Sequence, residues 1–103
     1  MEKENQAAQI QIELPEDVAQ GVYANLAIIA HSSSEFVFDF VRIVPGVPKV
    51  KVKERLIMTP ENAKRLLYAL QDNLVGYEEQ YGPVRTDRQP DFLPPLLGPQ
   101  GEA

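Results

Sequence analysis

The residue types that most resemble catalytic groups lie in one short segment. His31, the chain's one histidine, is followed by three serines and then by Glu35. A Ser/His/acid triad needs an imidazole within hydrogen-bond reach of the hydroxyl and a third group that orients it. Side chains of neighbouring turn residues point apart, and no nucleophile elbow surrounds them. We expect a turn capped by serine hydroxyls, no catalytic residues and no enzyme activity, so a hydrolase using His31 and one of residues 32–34 is the least favoured hypothesis.

Two carboxylates, Glu35 and Asp39, fall on the same side of an alternating segment. At the rise of a strand they are about 13 Å apart, which is too far for an acid/base pair. Asp39 lies between two phenylalanines, and an acid in such a setting requires a partner. We expect a cross-strand or intersubunit ion pair with a basic residue of the following strand, namely Lys51, Lys53 or Arg55.

Four cations, Lys49, Lys51, Lys53 and Arg55, alternate along one segment. Such a row could follow a phosphate backbone, but single-strand binding also uses aromatic side chains for base stacking, and this segment has none. Lysines also protect an edge strand from aggregation or bind the acidic segments of the chain, residues 1–20 and 67–103. The row is therefore our candidate contact for an anion or partner, and a nucleic-acid-associated accessory protein is the alternative function.

Composition excludes several classes of site. The chain has 103 residues, no cysteine, and 15 acidic against 10 basic residues. This length corresponds to one domain. Without cysteine there are no disulfides or thiolate metal sites, and we expect no metal and no cofactor. The longest apolar run has five residues, Leu26–Ala30, and no apolar signal region follows the polar N-terminus, so we expect a cytoplasmic protein without membrane contact.

Four segments alternate apolar and polar residues with the period of a strand. They are residues 9–14, 22–32, 35–44 and 49–58. The connections 31–34 and 45–48 have the length and composition of tight turns, which favours an antiparallel meander.

The pattern then becomes helical. Thr59 and Pro60 are typical of a helix N-terminus, and Gly82 with Pro83 is typical of its end. Apolar residues recur at intervals of four and three between them: Ala63, Leu67, Leu70, Leu74, Tyr77 and Tyr81.

The predicted fold class is α+β. It consists of a four-stranded, mostly antiparallel meander sheet (ββββα) with one long C-terminal helix on one face. We predict a disordered N-terminus over residues 1–8, a single domain over 9–82, and a flexible proline-rich tail over 83–103. Two alternatives stay open for this tail, since it could dock into a partner or lie across its own domain.

The central strands carry apolar residues on both sides, whereas one helix can cover only one face. The uncovered face would hold Ile29, Val37, Val41 and Ile43, with Asp39 among them. Exposed apolar patches of this size are uncommon in monomers. We predict a homo-oligomer, a dimer or higher, that packs through these residues. The alternative is that the chain's own terminal segments cover this face.

The segment 21–46, GVYANLAIIAHSSSEFVFDFVRIVPG, together with residues 55–60 and 63–67, resembles a small bacterial family with a domain of unknown function. The resemblance covers about residues 9–80. It implies a cytoplasmic bacterial protein and brings no catalytic activity, cofactor or site residue.

The order of strands followed by a long helix is also similar, at the level of fold alone, to the SecB-like export chaperones. That similarity implies sheets that assemble into dimers and tetramers and hold unfolded clients in apolar grooves. We therefore expect a non-enzymatic oligomeric protein-interaction module, either a holding chaperone or an assembly adaptor, with a protein partner and without nucleic acid.

Overall fold

The computed structural model describes residues 9–87. Five elements follow one another along the chain: helix α1 (Glu16–Ala19), strands β1 (Leu26–His31), β2 (Phe36–Val41) and β3 (Val52–Met58), and helix α2 (Pro60–Tyr81). The strands form one antiparallel sheet in the order β1-β2-β3. The α+β class and the meander are confirmed for these three strands.

A four-residue loop joins β1 to β2, and it is the serine turn expected from the sequence. The register pairs His31 with Phe36, and the Ser32 amide donates to the Glu35 carbonyl at 2.9 Å. The Ser32 hydroxyl accepts from the backbone amides of Ser34 and Glu35 at 3.2 and 3.3 Å. Its hydroxyl is therefore used to close the loop.

A tight turn at Pro45 and Gly46 lies in the longer connection from β2 to β3. The Val47 amide donates to the Val44 carbonyl at 3.1 Å, and Gly46 has a φ of +86°. Proline followed by a glycine with positive φ is the arrangement of a type II turn. The predicted turn is confirmed.

The fourth predicted strand is not present in the part of the chain that the structure describes. Residues 10–15 form neither helix nor strand, and Ile12 is 94% exposed. Alternation shows which side chains share a side, but a strand also needs a neighbour for its backbone groups. The edges β1 and β3 do not pair with this segment. Within residues 9–87, the sheet of the single chain thus has three strands.

Helix α2 begins and ends where the sequence predicts. The Thr59 hydroxyl accepts from the Asn62 amide at 3.2 Å, and Pro60 occupies the first turn. At the other end, Gly82 has a φ of +94°, and its amide donates to the Glu78 carbonyl at 2.9 Å. Both caps satisfy backbone groups that a helix end leaves unpaired.

The expectation that this helix covers one face of the sheet is wrong for the single chain. No residue of α2 is buried, and its packing against β3 is sparse. One residue, Thr59, separates Met58 at the end of β3 from Pro60 at the start of α2. The helix thus leaves the sheet directly from the end of β3, and its residues remain unburied. The apolar stripe of the helix therefore stays open to solvent.

The sheet has two faces of different composition. The phenylalanine face carries Phe36, Phe38 and Phe40 of β2, and the valine face carries Val37, Asp39 and Val41. Among residues 9–87, only Phe38, at 7% exposed, and Val41, at 6%, are buried apolar residues. One lies on each face, so the described part of the single chain has no continuous core.

Two predicted regions lie outside the described residues in whole or in large part. The N-terminal segment 1–8 is one, and the proline-rich tail beyond residue 87 is the other. Residues 82–87 follow α2 without regular secondary structure.

Candidate interaction surfaces

An apolar groove of about 470 Å³ lies against the phenylalanine face. Phe40 and Leu56 of the sheet form its floor, and Val18 and Val22 stand opposite them. The remaining lining residues are Asp17, Gly21, Ala24 and Glu54. This groove could take an apolar side chain or a short apolar segment.

Helix α1 and the glycine after it build one wall of the groove. Residues 16–19 form a single turn whose first two residues are acidic, and Gly21 follows with a φ of +74°. This left-handed backbone is one that glycine adopts without steric cost, and it redirects the chain so that Val22 follows Val18 into the wall. Sequence reasoning missed α1 and therefore missed the groove, although Pro15 and the acids behind it are a helix-start signal.

Two carboxylates give the groove a negative rim. Asp17 comes from α1 and Glu54 comes from β3. No cation is among the residues that line the groove. The arrangement favours an apolar ligand that carries a basic group beside its apolar part.

The register separates the residues that the sequence grouped as one interface. Ile29 pairs with Phe38 and so lies on the phenylalanine face, away from Val37 and Val41. It is Ile28, paired with Asp39, that lies on the valine face. Val41 is already buried within the chain. The grouping of Ile29 with the two valines is therefore corrected.

The side chain of Asn25, the residue before β1, holds Ile43 just beyond the end of β2. The side-chain Nδ2 of Asn25 donates to the Ile43 carbonyl at 3.0 Å, and its Oδ1 accepts from the Ile43 backbone amide at 2.8 Å. These two hydrogen bonds take the place of one further pair of backbone hydrogen bonds between the strands. Sequence patterns do not identify Asn25 in this role.

Asp39 makes the cross-strand ion pair expected from the sequence. Arg55 is its partner in the register, and Nε and Nη2 of Arg55 donate to the two carboxylate oxygens at 2.7 and 2.9 Å. This two-point geometry is the strong form of an arginine–carboxylate pair. The hydrogen bonds from Arg55 lower the pKa of Asp39 below its usual value. The charged Asp39 side chain therefore links β2 to β3 on the valine face.

The basic row does not form one straight face of β3. Lys49 and Lys51 precede the strand, which begins at Val52. Lys53 is the extra residue at a bulge, since Glu54 pairs with Phe40 while Val52 pairs with Val41. Arg55 is engaged with Asp39. The structure thus separates four cations that the sequence pattern had aligned.

His31 is placed for packing. Its ring stacks on Phe36 with centroids 5.3 Å apart. The adjacent Ser32 hydroxyl closes the loop.

The apolar stripe of α2 is defined by the six residues that recur at intervals of four and three: Ala63, Leu67, Leu70, Leu74, Tyr77 and Tyr81. Its five large members, Leu67, Leu70, Leu74, Tyr77 and Tyr81, are between 43 and 66% exposed. Tyr77 and Tyr81 contact each other, with ring centroids 4.8 Å apart. An amphipathic helix normally buries such a stripe.

Over residues 9–87 no group of three or more metal-ligating side chains is close enough to hold an ion. In the same range, the helices are too short or too polar to span a membrane.

Comparison with known proteins identifies one family. The sequence profile of a family described as protein of unknown function (DUF3467) matches residues 1–86. No curated protein and no solved structure is significantly similar to the chain.

Proposed function

We propose that this chain, which belongs to the DUF3467 family of proteins of unknown function, works in the cytoplasm as a non-enzymatic, self-associating protein-interaction module. In this function, copies of the chain associate through apolar surfaces and hold an apolar segment of another protein. A holding chaperone and an assembly adaptor both fit this description.

The observation that carries the proposal is the shortage of buried apolar side chains. Two apolar residues are buried among residues 9–87, whereas 23 large apolar residues are exposed. Burial of apolar surface is the main favourable contribution to folding. A chain that leaves its helix stripe and both sheet faces open gains that contribution by association with other copies or with partners.

The groove on the phenylalanine face indicates which segment would be held. Its floor and wall are apolar, and its rim carries Asp17 and Glu54. We propose that it receives an apolar residue flanked by lysine or arginine. The chain's own tail, residues 83–103, carries Arg85 and Arg88 against Asp87, Asp91 and Glu102, so it has no net positive charge to match an acidic rim.

The test is binding of short fluorescent peptides that combine two leucines with flanking lysines, measured by anisotropy. Val22→Asp places a third carboxylate in the groove wall. We expect about fivefold weaker binding, because the lost burial of one valine costs about 1.5 kcal/mol, whereas an exposed carboxylate gains only about 0.5 kcal/mol from the lysines of the peptide. Val47→Asp is a matched control, since both valines are 49% exposed and Val47 is not among the residues that line the groove. Equal binding by both variants would overturn the assignment of the groove.

The same titration examines the alternative function. A single-stranded oligonucleotide replaces the peptide, and Lys49→Glu combined with Lys51→Glu removes the cations of the basic row that precede β3. Salt-dependent oligonucleotide binding that this double variant abolishes, together with no peptide binding, would replace our proposal with the nucleic-acid function.

A further inference from the structure

The apolar stripe of α2 has the spacing of a two-stranded coiled coil. Intervals of four and three residues are the a/d pattern of a heptad repeat. The a positions are Leu67, Leu74 and Tyr81, and the d positions are Ala63, Leu70 and Tyr77. The stripe continues over most of a 22-residue helix, and the sheet of its own chain leaves it uncovered.

We propose that this stripe pairs with the same stripe of a second copy, with the two helices antiparallel. The inference rests on the proposed self-association and names the surface that performs it. In an antiparallel pair, each a residue of one copy meets a d residue of the other. The two members of each pair lie at the same sequence distance from Asp72, one before it and one after it. The pairs are Leu70 with Leu74, Leu67 with Tyr77, and Ala63 with Tyr81.

Side-chain size favours the antiparallel arrangement. It places Ala63, the smallest residue of the stripe, against the large ring of Tyr81. A parallel pair in register would put two alanines together at one end and two tyrosines together at the other. Constant volume along an interface avoids both a void and overpacking.

Charge favours the same direction. The first half of α2 carries Lys64 and the second half carries Glu78 and Glu79. Lys64 and Glu78 both occupy e positions, which flank the stripe and meet each other in an antiparallel pair. One oxygen of Glu78, Oε2, accepts from the Val84 amide at 2.8 Å, which leaves Oε1 as an acceptor for Lys64 of the other copy. A parallel pair would instead place the acidic halves side by side.

The area is sufficient for a specific contact. At the exposed fractions of its five large members, two facing stripes would hide roughly 1,000 Å² in total, which is the lower limit for a biological interface. The second copy is the occupant that matches this stripe in length, heptad phase and charge at once.

The absence of cysteine allows a direct test of direction. Leu70→Cys and Leu74→Cys chains are prepared separately and as a mixture refolded together, then oxidised. The antiparallel pair predicts almost no disulfide in either variant alone and cross-linking of about half of the chains in the mixture. A parallel pair in register predicts a disulfide in Leu70→Cys alone, and that result would overturn the proposal. A wild-type chain that sediments as a monomer would overturn it as well.

Charge exchange provides a second readout. Lys64→Glu should raise the dimer dissociation constant about tenfold, because two exposed pairs are lost. Adding Glu78→Lys should restore most of that loss, whereas Lys51→Glu, outside α2, should have no effect. Absence of rescue, with the fold intact by circular dichroism, contradicts the pairing. Peptide binding by Val22→Asp is measured separately, so loss of the groove function leaves the dimer result unaffected.

Discussion

Dilution should lower the thermal stability of this protein. A single chain buries two apolar residues over the range 9–87, so we expect folding to be coupled to association. For a dimer that unfolds to two separate chains, each tenfold dilution lowers the unfolding free energy by about 1.4 kcal/mol. The transition temperature of such a dimer depends on the protein concentration, whereas that of a monomer does not.

The size of the shift follows from the length of ordered chain. Two copies of the 79 described residues have an unfolding enthalpy of about 110 kcal/mol, at roughly 0.7 kcal/mol per residue. Near 60 °C this enthalpy converts a tenfold dilution into a decrease in Tm of about 5 °C. The shift varies inversely with the enthalpy, so a smaller enthalpy gives a larger shift.

The assay is circular dichroism at 222 nm on samples from about 1 to about 100 µM, and the expected total decrease over this range is roughly 10 °C. Val22→Asp, in the groove wall, should show the same slope as the wild-type chain. A Tm that stays constant over the range, with reversible unfolding, would refute the coupling of folding to association and the quaternary proposal with it.

Two further perturbations test local features. The pKa of Asp39 is lowered by Arg55, so the ion pair stabilises the fold above the usual carboxyl pKa and loses this effect as the pH falls below about 4. In urea titrations, the unfolding free energy of Asp39→Asn should therefore decrease less at acidic pH than that of the wild-type chain. An identical decrease would contradict the role of the pair. Gly76 lies inside α2 with open space for a methyl group, so Gly76→Ala should stabilise the fold by about 1 kcal/mol. Gly82 has a φ of +94° and a ψ of 171°, so Gly82→Ala should destabilise the fold by about 1–3 kcal/mol. Thermal melts in which both variants shift the Tm in the same direction would refute the assignment of the helix end.

Local features were predictable from the sequence because their causes lie within a few residues. The ends of α2 depend on a hydroxyl before Pro60 and on a glycine that adopts positive φ, and both signals are visible in the chain. The serine loop and the type II turn at Pro45 are of the same kind. The pairing of Asp39 with Arg55 needed one further inference, that the second and third strands of the structure lie side by side.

Other features depended on relations between distant segments. Alternation over residues 9–14 is the same whether or not a neighbouring strand exists, so it could not decide the number of strands. The faces of β1 are set by register, and a shift of one residue moves every side chain to the other face. That is why Ile29, rather than Ile28, was placed with the valines.

The sequence by itself determined the order of the three strands and the long helix, the caps and tight turns, and the heptad phase of that helix, because each depends on periods and residue types within a short stretch. Only the tertiary structure decided that the helix leaves the sheet uncovered, that α1 closes a groove over Phe40, and that a bulge at Lys53 breaks the basic row. These outcomes depend on the path of the chain through space and on contacts between segments that are far apart in the sequence, which periods and residue types within a short stretch do not determine.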